Sequence, residues 1–139
     1  IPLGLGFQFL KAIYNGEGFK RMDGSRLNYS ELIDFFPEEI PVFHFWGQED
    51  LLAPPDNLRY SSRYPHLKKS LFEVASEADL DQVVFSSERS QLVDVLIAGA
   101  GHVDLLFGQC AEKLVVPLLS RAVDAAWADW SYPGKSAAA

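Results

Sequence analysis

Two short apolar runs stand out along the chain, and each of them predicts a β-strand. Residues 42–46 and residues 92–98 are mostly apolar without strict alternation of polar and apolar positions. A strand of this kind has apolar residues on both faces, as in the buried interior of a parallel sheet. The first run therefore predicts a buried strand rather than an edge strand. Residues 71–75 predict a further short strand.

Helical spacing of apolar residues marks other segments of the chain. Residues 28–36 predict a short helix, and residues 56–64 predict another that follows two prolines. Residues 108–127 carry the longest apolar stripe and predict the longest helix, with a kink or a shifted start at Pro117. Residues 76–91 are acidic and rich in serine, and they predict a loop or a small insertion.

The order of these elements favours an α/β fold with parallel strands and flanking helices. Two or three strands make a poor free-standing parallel sheet, because both faces and both edges need cover. The pattern therefore predicts part of a larger α/β domain. The chain begins with Ile1 rather than methionine, which we interpret as a cut inside a longer protein, and residues 128–139 predict a loose tail.

Composition and charge narrow the classes of partner. The chain has 139 residues, of which 48% are hydrophobic, so it has enough material for one core. Its formal net charge is -7 and its best basic run is only Lys68 and Lys69, which excludes nucleic acid as an expected partner. No apolar stretch reaches the length of a transmembrane segment. The single cysteine, Cys110, allows no internal disulfide and favours a cytoplasmic compartment.

One proton-handling side chain follows each of the two main strands. Asp50 lies in a turn that begins at Gly47, and His102 follows a Gly-Ala-Gly turn. Because open parallel sheets place their working residues beyond the carboxyl ends of strands, we expect both at one edge. A carboxylate that orients a histidine supplies the acid and the base of a nucleophilic triad. Glu49 is a rival carboxylate for this role, and so is Asp104, although a cap explains Asp104 better.

The other histidines and the cysteine predict structural roles. His44 lies within the first strand and predicts a hydrogen-bonded core histidine, whereas His66 lies in a polar loop and predicts an exposed one. Cys110 faintly resembles a nucleophile but is better interpreted as a small buried apolar residue at a helix start. The three histidines lack metal-ligand spacing and no glycine-rich nucleotide motif occurs, so we expect neither a metal nor a cofactor.

Taken together, these features resemble the carboxyl-terminal part of an α/β-hydrolase of the lipase- and esterase-like kind. The segments that carry the resemblance are residues 14–24, 28–32, 41–55 and 101–108. The resemblance implies Asp50 as the triad acid and His102 as the general base. It also implies that residues 1–40 are the end of a cap or helical segment. Residues 41–127 would then hold the acid and histidine strands with their closing helix.

The family also needs a nucleophile on a Gly-x-Ser-x-Gly turn, which comes before the acid in chain order. No such turn occurs in this chain. The resemblance therefore implies an amino-terminal half that carries the nucleophile, and an isolated chain that is inactive. The implied reaction is acyl transfer to water from a small-molecule or lipid-like ester. The long stretch of sequence between Asp50 and His102 implies an insertion near residues 67–90.

Two other classes of function remain open. In the first, the chain is a non-catalytic α/β interaction module in which Asp50 and His102 are structural. In the second, the same fold performs polyester synthase or dehalogenase chemistry. Only the identity of the nucleophile would separate those reactions from ester hydrolysis.

Overall fold

Three strands of one parallel sheet and a long helix account for most of what the structure describes. The structure is a computed structural model that describes residues 37, 39–56, 64–86 and 90–128. The chain divides into two units, residues 1–37 and residues 38–139, and every element below belongs to the second. The helix expected over residues 28–36 lies outside the described residues. Most of the helix expected over residues 56–64 and nearly all of the expected tail also lie outside them.

The sheet has the order β1-β3-β2, and both outer strands run parallel to β3. The strands are β1 (Val42–Gly47), β2 (Lys68–Val74) and β3 (Gln91–Ile97). The two main strands are thus confirmed as parallel neighbours, and the third starts a few residues before its expected position. This architecture is mixed α/β, with helices flanking a small parallel sheet.

The position of β1 in the sheet differs from the prediction. We expected a buried strand, but β1 is an outer strand of this order, and no strand of the described residues pairs with its other edge. Its residues from Val42 to Trp46 are half-buried, whereas those of β3 from Gln91 to Val95 are buried. Phe43 and Phe45 pack against the core. The apolar run over residues 42–46 therefore reflects packing of one face of β1 against the core. It did not predict the outer position of β1 in the sheet.

The expected loop over residues 76–91 contains a 3-10 helix, Glu77–Gln82. The Asp79 carboxylate starts it by accepting hydrogen bonds from the backbone N–H and the hydroxyl of Ser76, at 2.9 and 3.0 Å. At its end, Arg121 donates to two backbone carbonyls at 2.6 and 2.8 Å. The loop prediction was wrong here because serine and aspartate favour caps and turns alike, so composition does not separate the two.

The long helix is confirmed and contains an irregular turn. It consists of α1 (Gly108–Cys110), a π-helical segment (Ala111–Val115) and α2 (Val116–Ala128). In the π segment the N–H of Val116 donates to the carbonyl of Ala111, five positions earlier. Pro117 comes next, and it has no N–H while its ring crowds the carbonyl four positions earlier. A widened turn accommodates both effects, so the irregularity predicted at Pro117 takes the form of a π turn.

The core lies between one face of the sheet and this helix. Its fully buried members include Val74, Val83, Val93, Val95, Ile97 and Leu118. The turns beyond the carboxyl ends of β1 and β3 carry the site described next. Within the described ranges, no helix is both long and apolar enough to cross a membrane.

Candidate active site

The turns that follow β1 and β3 lie side by side. The register pairs Gly47 with Ile97, the last residues of the two strands. Beyond them, the N–H of Gln48 donates to the carbonyl of Ile97 at 3.0 Å, and the N–H of Glu49 donates to the carbonyl of Ala100 at 2.9 Å. These bonds extend the contact between the strands past their ends. They hold the acid-bearing turn against the histidine-bearing turn.

Gly47 makes this close approach possible. A Cβ atom built on Gly47 would lie 2.5 Å from the carbonyl oxygen of Ala100 and 3.1 Å from that of Gly101. Both neighbours are backbone atoms of the histidine turn, so they cannot rotate away as a flexible side chain would. Gly99 starts that turn with a φ of 68°, in the region that favours glycine. The glycines near the site therefore serve close packing and a sharp turn.

The structure brings Asp50 and His102 together. Asp50 Oδ2 lies 2.8 Å from His102 Nδ1. Because an ionised carboxylate only accepts hydrogen bonds, the proton of this pair lies on Nδ1. The other oxygen, Asp50 Oδ1, accepts from the backbone N–H groups of Leu52 and Ala53, both at 2.8 Å. The carboxylate is therefore fixed at three points, and the ring that it orients keeps Nε2 as its acceptor.

Burial and hydrogen bonding set the charge of Asp50. Its side chain is 3% exposed, whereas that of His102 is 49% exposed. Burial raises the pKa of Asp50, but hydrogen bonds from Ala53, His102 and Leu52 outweigh it, so the pKa lies below its ordinary value. The carboxylate is therefore ionised at neutral pH. It can hold the imidazole in one tautomer and stabilise the imidazolium form.

An apolar cavity of about 580 Å³ lies beside this pair. Asp50 and His102 form part of its wall, and the other wall residues that the structure describes are hydrophobic, with Trp46 among them. Those other residues include Phe45, Leu105, Leu106, Val115, Val116 and Leu119. The volume is in the usual range of small-molecule sites, about 300 to 1,000 Å³. The site thus joins one proton-handling pair to a largely apolar pocket.

The two rival carboxylates, Asp104 and Glu49, belong to residues that stabilise the turns and do not bond His102. Asp104 Oδ2 accepts from the backbone N–H of Gly101 at 2.8 Å, as expected of a turn cap. Glu49 is exposed, and its backbone rather than its carboxylate contacts the histidine turn. Among the described residues, no group of three or more histidine, cysteine, aspartate or glutamate residues is placed to hold a metal ion.

His66 is exposed as predicted, and Cys110 lies at a helix start as predicted but is half-buried rather than buried. Cys110 packs against the core. Burial raises the pKa of its thiol, and the charge of Asp104 raises it further. A thiol of this kind is a poor nucleophile at neutral pH.

A second aspartate–histidine pair lies within the sheet, and the sequence predicted only half of it. His44 Nδ1 lies 2.9 Å from Asp94 Oδ1, and the indole N–H of Trp46 donates to the same oxygen at 2.9 Å. His44 is hydrogen-bonded as expected, although it is half-buried. Asp94 is 5% exposed and was not anticipated as its partner. The available signal was a charged residue inside an apolar strand, because a buried charge needs a partner.

Comparison with known proteins identifies no relative of this chain. No family model, curated protein or solved structure matches it. The function of the site therefore rests on its own geometry: a buried, ionised carboxylate that orients a half-exposed imidazole beside an apolar cavity.

Proposed function

We propose that Asp50 and His102 are the acid and the base of a nucleophile–histidine–aspartate triad in a hydrolase that cleaves ester bonds. The observation that carries this proposal is the 2.8 Å hydrogen bond between the buried Asp50 carboxylate and His102 Nδ1. A carboxylate at Nδ1 leaves Nε2 to accept a proton, which is the geometry that activates a hydroxyl nucleophile.

In the proposed mechanism, His102 Nε2 takes the proton of a hydroxyl that attacks the ester carbonyl. The protonated ring then gives this proton to the departing alcohol, which leaves an acyl-enzyme. Water attacks the acyl-enzyme with His102 again acting as base, and the acid product and the free hydroxyl are released. Asp50 orients the ring throughout and stabilises its positive charge. The N–H groups of Leu52 and Ala53 keep the carboxylate in place.

The nucleophile in this proposal belongs to a segment outside these 139 residues. The chain has no Gly-x-Ser-x-Gly turn. An α/β-hydrolase has the order nucleophile, acid, histidine, and the order of Asp50 and His102 is compatible with its last two members. The three parallel strands and the long helix would then be the carboxyl-terminal portion of that fold. The apolar cavity supports a small-molecule or lipid-like ester as the substrate.

The coding sequence upstream of Ile1 provides the test, together with ester hydrolysis assays. We expect the 139-residue chain alone to leave a p-nitrophenyl ester at its buffer rate. A longer chain with an upstream Gly-x-Ser-x-Gly turn should hydrolyse it, and His102→Ala should abolish that activity. Hydrolysis by the 139-residue chain that is lost in His102→Ala would contradict the external nucleophile.

The upstream sequence also separates the alternatives. A Gly-x-Cys-x-Gly turn would favour a polyester synthase, and an aspartate nucleophile would favour a dehalogenase. A longer chain with no nucleophile turn and no hydrolytic activity would contradict the triad. The pair of Asp50 and His102 would then be structural, as in a non-catalytic interaction module.

A further inference from the structure

We infer that Asp94 is a positioning residue for the candidate site, because its carboxylate holds the indole ring of Trp46 in the wall of the cavity beside His102. The inference rests on the proposed function only in taking that cavity as the place where the substrate lies. It gives the second aspartate–histidine pair a role at the site, although Asp94 and His44 do not themselves line the cavity.

Trp46 belongs both to the sheet and to the cavity. It directly precedes Gly47, the last residue of β1, and its side chain lines the cavity together with Asp50 and His102. Tryptophan has the largest side chain among the wall residues that the structure describes. The direction of its ring therefore has a large effect on the shape of the cavity next to the pair.

The carboxylate of Asp94 holds this ring directly and through His44. The indole N–H of Trp46 donates to Asp94 Oδ1 at 2.9 Å, and His44 Nδ1 lies 2.9 Å from the same oxygen. The rings of His44 and Trp46 meet edge to face, with their centroids 5.5 Å apart and an interplanar angle of 76°. An indole has no polar group besides its N–H. Trp46 therefore leaves only apolar surface for the cavity.

The place of Asp94 in the sheet makes the contact rigid. The register pairs Asp94 with His44, and Trp46 follows two residues later on the same face of β1. Asp94 is 5% exposed, and burying a carboxylate costs free energy that its partners only partly return. An apolar residue such as Leu92, two positions earlier on β3, packs this face without that cost. What the carboxylate adds is a fixed direction for the indole ring.

4-Nitroacetophenone tests the inference on the 139-residue chain, because it resembles a p-nitrophenyl ester but has no bond that a nucleophile could cleave. NMR titration gives its affinity, and the ring signals of His102 report whether it binds in the cavity. The indole N–H signal of Trp46, identified with Trp46→Phe, reports the hydrogen bond to Asp94. We expect the probe to bind the original chain and to shift both sets of signals.

Asp94→Leu should weaken binding of the probe at least about fivefold, the equivalent of one lost hydrogen bond. It should also move the Trp46 indole signal upfield, because the N–H loses its acceptor. Asp94→Asn should keep the affinity within about twofold of the original, because its amide oxygen can still accept from the indole. Circular dichroism checks that the variants fold, and Asp94→Val replaces Asp94→Leu if that variant does not.

Leu92→Ala is the matched control for a general loss of stability. Leu92 lies on the same face of the same strand, is fully buried and does not line the cavity. Removing most of its side chain destabilises the sheet, which urea unfolding measures, but should change the affinity less than about twofold. In a chain that already carries Trp46→Phe, adding Asp94→Leu should also change the affinity less than about twofold, since no indole N–H remains to be held.

Failure of the positioning role can be told apart from failure of the triad. A probe that does not bind, an unchanged affinity in Asp94→Leu or an equal loss in Leu92→Ala would overturn the positioning role. So would a full effect of Asp94→Leu in the chain that carries Trp46→Phe. None of these measurements needs a nucleophile, whereas the triad is tested by hydrolysis in the longer protein. Probe binding that depends on Asp94, together with an inactive longer protein, would support the positioning role and overturn the triad.

Discussion

The two aspartate–histidine pairs have nearly the same hydrogen bond in different surroundings. His102 bonds Asp50 at 2.8 Å, and His44 bonds Asp94 at 2.9 Å. In each pair the aspartate is almost buried and the histidine is more exposed, at 49% for His102 and 27% for His44. A bond between a carboxylate and an imidazole therefore does not by itself identify a reactive histidine.

The two pairs differ in the other hydrogen-bond partners of their carboxylates. Asp50 uses its second oxygen for backbone N–H groups of its own turn, beyond the strand end and beside the cavity. Asp94 lies in the middle of β3 and accepts from both His44 and Trp46, which lie on β1. The first carboxylate orients a ring toward an open site, whereas the second connects two strands. We therefore expect substitutions in the first pair to affect chemistry, and substitutions in the second to affect stability.

The largest expected effect is on catalysis, measured in the longer protein that the triad proposal requires. Asp50→Asn should lower kcat by about 10⁴-fold, because an amide no longer fixes the required imidazole tautomer. Asp94→Asn is the matched control and should lower kcat less than about tenfold, because Asp94 and His44 do not line the cavity, although their partner Trp46 does. Steady-state kinetics on a soluble ester measure both. Similar losses in the two variants would remove the functional distinction between the pairs.

The next largest effect is on the free energy of unfolding, and here we expect the Asp94 variant to lose more than the Asp50 variant. Asp94→Ala should destabilise the chain by about 2 to 4 kcal/mol, because it leaves the Trp46 indole N–H and the His44 ring without their acceptor. Asp50→Ala should cost less, because His102 is half-exposed and the N–H groups of Leu52 and Ala53 lie in a largely exposed turn, so water can replace the lost acceptor. Urea unfolding of the 139-residue chain measures both free energies. If Asp50→Ala is the more destabilising variant, the structural role assigned to the sheet pair is wrong.

Gly47→Ala should disturb the pair of Asp50 and His102 and leave the pair of Asp94 and His44 unchanged. The new methyl group would press on the Ala100 carbonyl and force the two turns apart, at a cost of about 1 to 3 kcal/mol. The ring ¹⁵N signals of His102 should then lose the pattern of an Nδ1–H tautomer, while those of His44 should keep theirs.

Gly101→Ala is the control for this substitution. The nearest neighbour of its new Cβ is the Asp104 carboxylate at 3.2 Å, which is the end of a side chain that can move. It should leave the His102 signals closer to those of the original chain. Unchanged His102 signals in Gly47→Ala would show that contact between the two turns does not set the pair.

The smallest expected effect is on stability in acid. The pKa of Asp50 in the folded chain lies below the unfolded value of about 3.9. Its contribution to the free energy of unfolding is therefore fully present above that value and is lost as pH falls through the folded pKa. Asp50→Asn should therefore flatten the acid side of the stability curve.

Asp79 offers the comparison for this acid effect. The N–H of Ala75 and the hydroxyl and N–H of Ser76 lower its pKa too, so Asp79→Asn should remove a separate part of the same slope. Urea unfolding from about pH 6 to pH 3 measures the variants. An acid slope in Asp50→Asn that equals the original one would contradict the role of its hydrogen bonds.

Local signals in the sequence predicted much of the described fold. The apolar runs gave the positions of β1 and β3, and the apolar stripe gave the long helix with its irregularity at Pro117. The glycine turns after the two strands led us to expect Asp50 and His102 at one edge, where the structure brings them together. These predictions succeeded because each depends on residues that are neighbours in the chain.

Only the tertiary structure decided the order β1-β3-β2, the outer position of β1 and the contact of Gly47 with the histidine turn. It also decided that Asp94 bonds His44 and Trp46, which lie 50 and 48 positions away. The reason is physical: which buried donor meets which acceptor depends on how strands pair and how the helix packs over them. The sequence by itself placed an aspartate and a histidine after two strands. Packing brought Asp50 and His102 together beside a cavity, and Asp94 and His44 together within the sheet.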